Sequence, residues 1–214
     1  ASRGLGDVYK RQSTYLGDDV AFFPSWETLP HECLSPSIDT VGRRLEVLHR
    51  LHLAAHPDPH SPVAPLRVVV AATRSLIQPT QASLAETEPL ILRVDQEIEF
   101  SDVPSLLTEL AYERVDLVSR RGDFAVRGGI IDIFPATAEH PVRIEFWGDE
   151  ISDIRTFSVA DQRTIPDADL TWVAMYPCSE LLMTAQVEHR AAELYQDLVG
   201  YAAIADMFDT VSYT

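Results

Sequence analysis

The sequence predicts a composite fold: an α/β unit followed by a mostly antiparallel α+β module. Two apolar runs, at 20–24 and 66–72, bracket a stretch of helical periodicity over 41–55, which is strand–helix–strand order. Residues 120–164, RRGDFAVRGGIIDIFPATAEHPVRIEFWGDEISDIRTFSVADQRT, instead set short alternating blocks between closely spaced Gly and Pro, the pattern of tight-turned antiparallel strands. One helical stripe near 102–110 precedes that block, so a single helix is expected on the sheet.

Taken in order, residues 1–12 (ASRGLGDVYKRQ) lack any period and are set aside as an artefactual or disordered extension. Both ends of the chain are expected to be cuts in a longer protein. Val20-Ala21-Phe22-Phe23 closed by Pro24 predicts a buried strand, and the Pro30- and Pro36-bearing stretch 26–39 a loop. Thr40 is expected to cap the helix over 41–55, with Val41, Leu45, Leu48, Leu51 and His52 as its inner stripe and Pro57 as its stop. The proline-rich stretch 57–65 must be a loop. The run at 66–72, with Val68, Val69 and Val70, predicts a strand covered on both faces in a parallel sheet. The character changes at 86–89, where Pro89 opens the strand LILRVDQEIEF. Ser101 or Asp102 should cap a helix with Pro104 in its first turn and Leu106, Leu107 and Leu110 inside. Strands follow near 114–119, 123–134, 142–147, 150–158 and 171–176, and a helix over 184–199 carries Val187, Ala191, Leu194 and Leu198 on one face.

Composition narrows the function. With 214 residues, 46% hydrophobic and 23% charged, the chain can build a core. A net charge of -16, with Lys10 as the only lysine, argues against a nucleic-acid grip and favours basic protein partners. Cys33 and Cys178 form neither a metal pattern nor a disulfide framework, which predicts a reduced, cytoplasmic setting. No apolar run is long enough for a membrane span, so no membrane partner is expected.

Several motifs resolve into ordinary readings. No phosphate-binding loop is present, so the strand–helix–strand unit is a fragment or a degenerate nucleotide fold, and no ATP site is expected. His49, His52, His56 and His60 suggest a metal enzyme, but Pro57 and Pro59 break the helix and no acid or Cys completes a zinc spacing. A metal-free helix end is the expectation. Arg121-Gly122-Asp123 spells an adhesion tripeptide, but a glycine turn explains it. No nucleophile elbow occurs, and Asp149-Glu150 after Gly148 fits a solvated hairpin turn. No catalytic residues are expected.

The strand at 142–147 is more specific. Alternation sends Val142, Ile144 and Phe146 to the core and Arg143, Glu145 and Trp147 outward together. Arg127 falls opposite Val126 and Phe124, and Gly128-Gly129 permits a turn or bulge before Ile130. Outward arginines with a Trp make a protein-binding hot spot. The competing reading packs Trp147 under a loop and pairs the arginines with Glu145 or Asp132.

The stretch RGDFAVRGGIIDIFPATAEHPVRIEFWGDEISDIRTFSVADQRT resembles the UvrA-binding module shared by UvrB and the transcription-repair coupling factor (Mfd) family. Its skeleton is R-G-x-F/Y-x-x-R-G, an apolar D/E-x-F-P, then R-x-E/D-F-aromatic-x-D-E-I. The segment FFPSWETLPHECLSPSIDTVGRRLEVLH resembles the coupling-factor branch, and the tyrosine cluster of the DNA-clamping hairpin in UvrB is not seen. A UvrB fragment is the alternative.

The resemblance implies that residues 13–88 are part of a degenerate helicase-type (RecA-like) α/β domain, 89–177 the inserted UvrA-binding (UvrB interaction) module, and 178–214 the start of the returning α/β part. It implies recruitment of UvrA for nucleotide excision repair at stalled RNA polymerase. Contacts to RNA polymerase and double-stranded DNA, and the ATP- and Mg-dependent translocase motor, would lie in other parts of the parent protein. It further implies that Arg127, Arg143 and Trp147 contact UvrA, with Glu145 supporting on the same face. Trp147 stands where the family often has Phe or Tyr. On this reading Arg127, Arg143 and Trp147 are exposed, and truncating any of them should barely change folding.

Overall fold

The computed structural model describes residues 10, 12–28, 35–182, 187, 189, 192 and 193. Most of the stretch 1–12, Cys33 and most of the helix expected over 184–199 lie outside the described residues, although Val187, His189, Ala192 and Glu193 are helical. Residues Ala1–Glu180 form one compact unit and Leu181–Thr214 a second.

The first unit opens with strand–helix–strand order. Strand β1 (Val20–Phe23) pairs in parallel with β2 (Val68–Ala71), and helix α1 (Ile38–Ala55) lies between them in sequence. Parallel strands need such a crossover because no tight turn can join them. The parallel pairing matches the sequence, but coverage on both faces does not: only Val70 of β2 is buried. The pair stands as a two-stranded sheet among the described residues, so no further strand flanks it.

Helix α1 begins before the expected cap. Ser37 is the N-cap, its Oγ accepting the Thr40 amide at 3.4 Å. Thr40 lies inside the first turn, where its hydroxyl donates to Glu27. The expected stripe is half correct. Val41 and Leu45 are buried and Leu48 packs half-buried against the two clusters that flank the helix, but Leu51 is exposed and His52 half-buried, while Val47, His49 and Leu53 go inside. The helix is gripped from two sides, which removes a single stripe. Val47 joins Ala21, Phe23 and Leu66, whereas Val41 and Leu45 join Leu84 and Tyr176. Arg44 is fully buried on the same helix. It donates to Glu180 at 2.6 Å, to the Pro24 carbonyl at 3.0 Å and to Thr80 at 3.1 Å, with its guanidinium 4.4 Å from the Phe23 ring. After α1 come the short helix α2 (Thr73–Ile77) and strand β3 (Leu90–Arg93). The strand expected to run on from Pro89 ends there, because Asp95 turns the chain at φ +65°.

Helix α3 (Asp102–Glu109) buries Val103 and Leu107 and half-buries Leu106 and Leu110; Ser101 precedes it, but its hydroxyl bonds to Glu99 and does not cap. A six-stranded sheet follows in sequence order: β4 (Glu113–Arg114), β5 (Asp123–Arg127), β6 (Ile130–Ile133), β7 (Val142–Trp147), β8 (Glu150–Phe157) and β9 (Thr164–Asp169). Only β4–β5 is parallel. The strand expected near 114–119 shrinks to two residues because Val118 leaves the sheet line to pack on Ala125, Phe134 and Phe157. Strand β9 was not expected; Pro166 and alternating Asp disguise it. Strand β10 (Trp172–Met175) pairs antiparallel with β3. Leu92, Leu107, Phe124, Ile131, Ile144, Ile154 and Met175 meet in the main core between α3, the β3–β10 pair and one face of the sheet.

The sheet module and α1 touch at Gly42. A methyl group built there would lie 2.5 Å from Ala136 Cβ, so only glycine lets the helix approach the chain after β6 this closely.

Candidate protein-interaction face

The face of the sheet away from the main core is built by cross-strand register. One inner row runs Val126, Ile131, Ile144, Ile154. The next positions on each strand therefore form outer rows. One is Ala125, Asp132, Arg143, Arg155, Asp169, and the other Arg127, Ile130, Glu145, Asp153. Trp147 continues the outer side of β7 past a bulge at Glu145/Phe146, while Phe146 packs on the core edge-to-face with Phe100 at 5.1 Å. Arg127, Arg143, Glu145 and Trp147 thus share one face, the grouping that alternation predicts.

Their environments differ. Trp147 is 84% exposed at the mouth of the β7–β8 hairpin, with no loop over it. It pairs with Glu150 across the turn, and Gly148 adopts φ +67°, the conformation a two-residue hairpin turn demands at its first position. Asp149 in that turn is not simply solvated: its side chain accepts the Phe100 amide at 3.1 Å. Arg127 is exposed at the end of β5 and donates to the Asp116 carbonyl at 2.7 Å. Glu145 is half-buried, 3.8 Å from Arg155. Arg155 also pairs with Asp153 and approaches Asp169 at 3.9 Å.

Arg143 departs from the exposed, free role expected of it. It grips Asp132 with two hydrogen bonds, Nε to Oδ1 at 2.7 Å and the NH2 nitrogen to Oδ2 at 2.9 Å. Asp132 is 2% exposed in its side chain and Arg143 21%. The guanidinium also lies 4.9 Å from the Phe157 ring. Its hydrogen bonds to Asp132 outweigh burial and raise its pKa above the ordinary value, so the charge is fixed. The pairing of Arg143 with Asp132 is the competing reading of the strand pattern, and for this residue it holds; truncation of Arg143 will therefore perturb folding. Cross-strand register, Asp132 opposite Arg143, is the signal that a hairpin alignment of the sequence would have exposed.

The remaining motifs fall elsewhere. Asp123 of the Arg-Gly-Asp tripeptide is buried and accepts bonds from the amides of Ser119 and Arg120, which removes it from any adhesion role. His49, His52, His56 and His60 line a 260 Å³ cavity with Asp58, Glu86 and Glu88. His52 and His56 stack at 4.5 Å, and among the described residues no three His, Cys, Asp or Glu side chains are placed to hold a metal ion. Burial holds the His49 imidazole below its ordinary pKa; Glu88 opposes the shift, His52 adds to it, and Nδ1 has no partner. Among the described residues, no helix is long and apolar enough to cross a membrane.

Residues 90–181 match the family model described as the UvrB interaction domain. The chain is 58% identical over 192 residues to the transcription-repair-coupling factor of Mycobacterium bovis, covering 90% of this chain and 15% of that protein. It is 36% identical to the transcription-repair-coupling factor of Bacillus subtilis over 174 residues, 81% of this chain and 14% of the relative. The UvrABC system protein B of Bacillus subtilis is 38% identical over 103 residues, 48% of this chain and 15% of the relative. The chain spans about 15% of the length of the curated relatives it matches.

Proposed function

We propose, on the premise that this chain is a segment of the transcription-repair-coupling factor family carrying a UvrB interaction domain, that it docks UvrA through the outer face of its sheet. The observation that supports this best is Trp147, 84% exposed on the β7–β8 hairpin beside the outward rows of β5 and β7. An isolated tryptophan in water has no folding role, whereas an aromatic beside arginine is a typical anchor at a protein interface. Arg127 supplies a guanidinium for a carboxylate on the partner. Arg143 acts at one remove: paired with Asp132 it holds β6 and β7 in register and leaves only an edge of its guanidinium to the partner. Glu145 steadies Arg155 on the same face.

The domain reading follows the same lines. Residues 13–88 are a partial degenerate helicase-type α/β domain, 89–177 the docking module, and 178–214 the start of the returning half. The segment has no catalytic role. It recruits UvrA for nucleotide excision repair, while RNA polymerase, double-stranded DNA and the ATP-driven motor are served by other parts of the parent protein. The high similarity to coupling factors over both the α/β part and the module favours this over a UvrB fragment.

Titration of purified UvrA with variants of this chain tests the reading. Arg127→Ala and Trp147→Ala should each weaken binding by about 2 kcal/mol, roughly thirty-fold, with melting unchanged. Ile144→Ala, a core truncation, should instead lower stability by about 2–5 kcal/mol. Parent-like binding by both surface variants would refute the assignment.

A further inference from the structure

We infer that Leu117 is a second apolar anchor of the docking face, fitting a protein partner that offers a shallow apolar socket next to a carboxylate. The inference rests on the proposed UvrA docking through Arg127 and Trp147. Leu117 is 51% exposed in a loop that belongs neither to β4 nor to β5. Exposed leucines are common, but this one is held in place on both sides. On its N-terminal side, the Val115 amide donates to the Phe124 carbonyl at 2.9 Å, and the Asp116 carbonyl accepts from Arg127 at 2.7 Å. On its C-terminal side, Val118 is 1% exposed in the outer cluster with Ala125, Phe134 and Phe157. The amides of Ser119 and Arg120 then both donate to Asp123, at 3.0 and 2.9 Å. The buried neighbour Val118 and this run of bonds fix the backbone at Leu117, while Leu117 itself stays half exposed outside the cluster that Val118 joins.

A side chain presented on an ordered loop loses little conformational freedom when a partner covers it, so it contributes more to affinity than the same residue on a mobile loop. The bond from Arg127 to Asp116 places Leu117 next in sequence to the carbonyl that the arginine grips. An apolar residue therefore directly follows the carbonyl that the cation grips beside β5, in the sheet whose β7 carries the exposed Trp147. Sequence reasoning had no signal for this residue, since 114–119 read as strand.

Two variants of the whole chain, Leu117→Ala and Leu117→Asp, titrated with purified UvrA alongside Trp147→Ala, test the inference. Leu117→Asp should weaken binding about tenfold or more, because it forces a charge into the covered interface, and Leu117→Ala by about three- to tenfold. Both should melt with the parent, as exposed substitutions do. If both Leu117 variants bind like the parent while Trp147→Ala loses affinity, Leu117 lies outside the interface and the inference fails with the docking reading intact. If Trp147→Ala also binds like the parent, the docking face itself is wrong.

Discussion

Replacing Arg143 with alanine separates the structural part of the outer face from its binding part. The substitution removes both hydrogen bonds to Asp132, at 2.7 and 2.9 Å, and strands a carboxylate that is 2% exposed. Breaking a fully buried ion pair from one side costs about 3–5 kcal/mol. Arg143 retains 21% exposure, so water re-enters on one side of Asp132 and the expected loss is about 2–3 kcal/mol. For a domain of this size that is a fall in melting temperature of roughly 5–10 °C. The same substitution in an Asp132→Asn background should cost about 1 kcal/mol, since no charge is then left behind. Thermal melts and urea titrations of the parent, both single variants and the double variant close the cycle. A variant Arg143→Ala that melts with the parent, or a cycle whose coupling is near zero, would refute the claim that this pair holds β6 and β7 together. Loss of UvrA binding by Arg143→Ala therefore means something only when compared at matched stability.

Other outcomes follow from single sites. Gly42→Ala should lower stability by up to about 2 kcal/mol, since overpacking against Ala136 costs about 1–3 kcal/mol and alanine returns about 1 kcal/mol in helix propensity; a stabilised variant would show that the helix is free to shift. Burial pushes the Cys178 thiol up to about 12, so iodoacetamide should leave it unmodified in the folded chain of a Cys33→Ser variant and label it only after unfolding. His49 has a folded pKa held below its ordinary 6.5, so the unfolded chain takes up a proton that the folded chain refuses. Its contribution is full above about pH 6.5 and is lost as pH falls through that value; His49→Leu should flatten the difference in melting temperature between about pH 7.5 and about pH 5.5.

Where the sequence carried a simple period, it was legible. The β7 strand, Val142–Trp147, matched its predicted bounds because each inward residue faces one continuous core and each outward one meets charge or water. Helix α1 was legible as a helix but not as a stripe, since two clusters claim it and Arg44 is buried where a basic residue reads as surface. Its cap was misplaced because Thr40 and Ser37 both offer a hydroxyl at the helix start; Ser37 Oγ accepts the Thr40 amide, and both hydroxyls donate to Glu27. Alternation put Arg127 and Trp147 on the outer side of the sheet but left open whether a loop covers Trp147; the structure leaves both exposed. The state of Arg143 did not, because the partner that covers it lies on the neighbouring strand, and register is not a property of one strand. Leu117 was hidden for the opposite reason: its apolar neighbours made the loop resemble a strand.

Hydrogen exchange of the chain, measured with and without UvrA, tests the central claim most directly. Protection on binding should appear over 115–119, at the Arg127–Ile130 turn and along the β7–β8 hairpin through Trp147, with helix α1 and the histidine-lined cavity unchanged. Protection confined to α1 or that cavity, or none along the hairpin, would contradict the account.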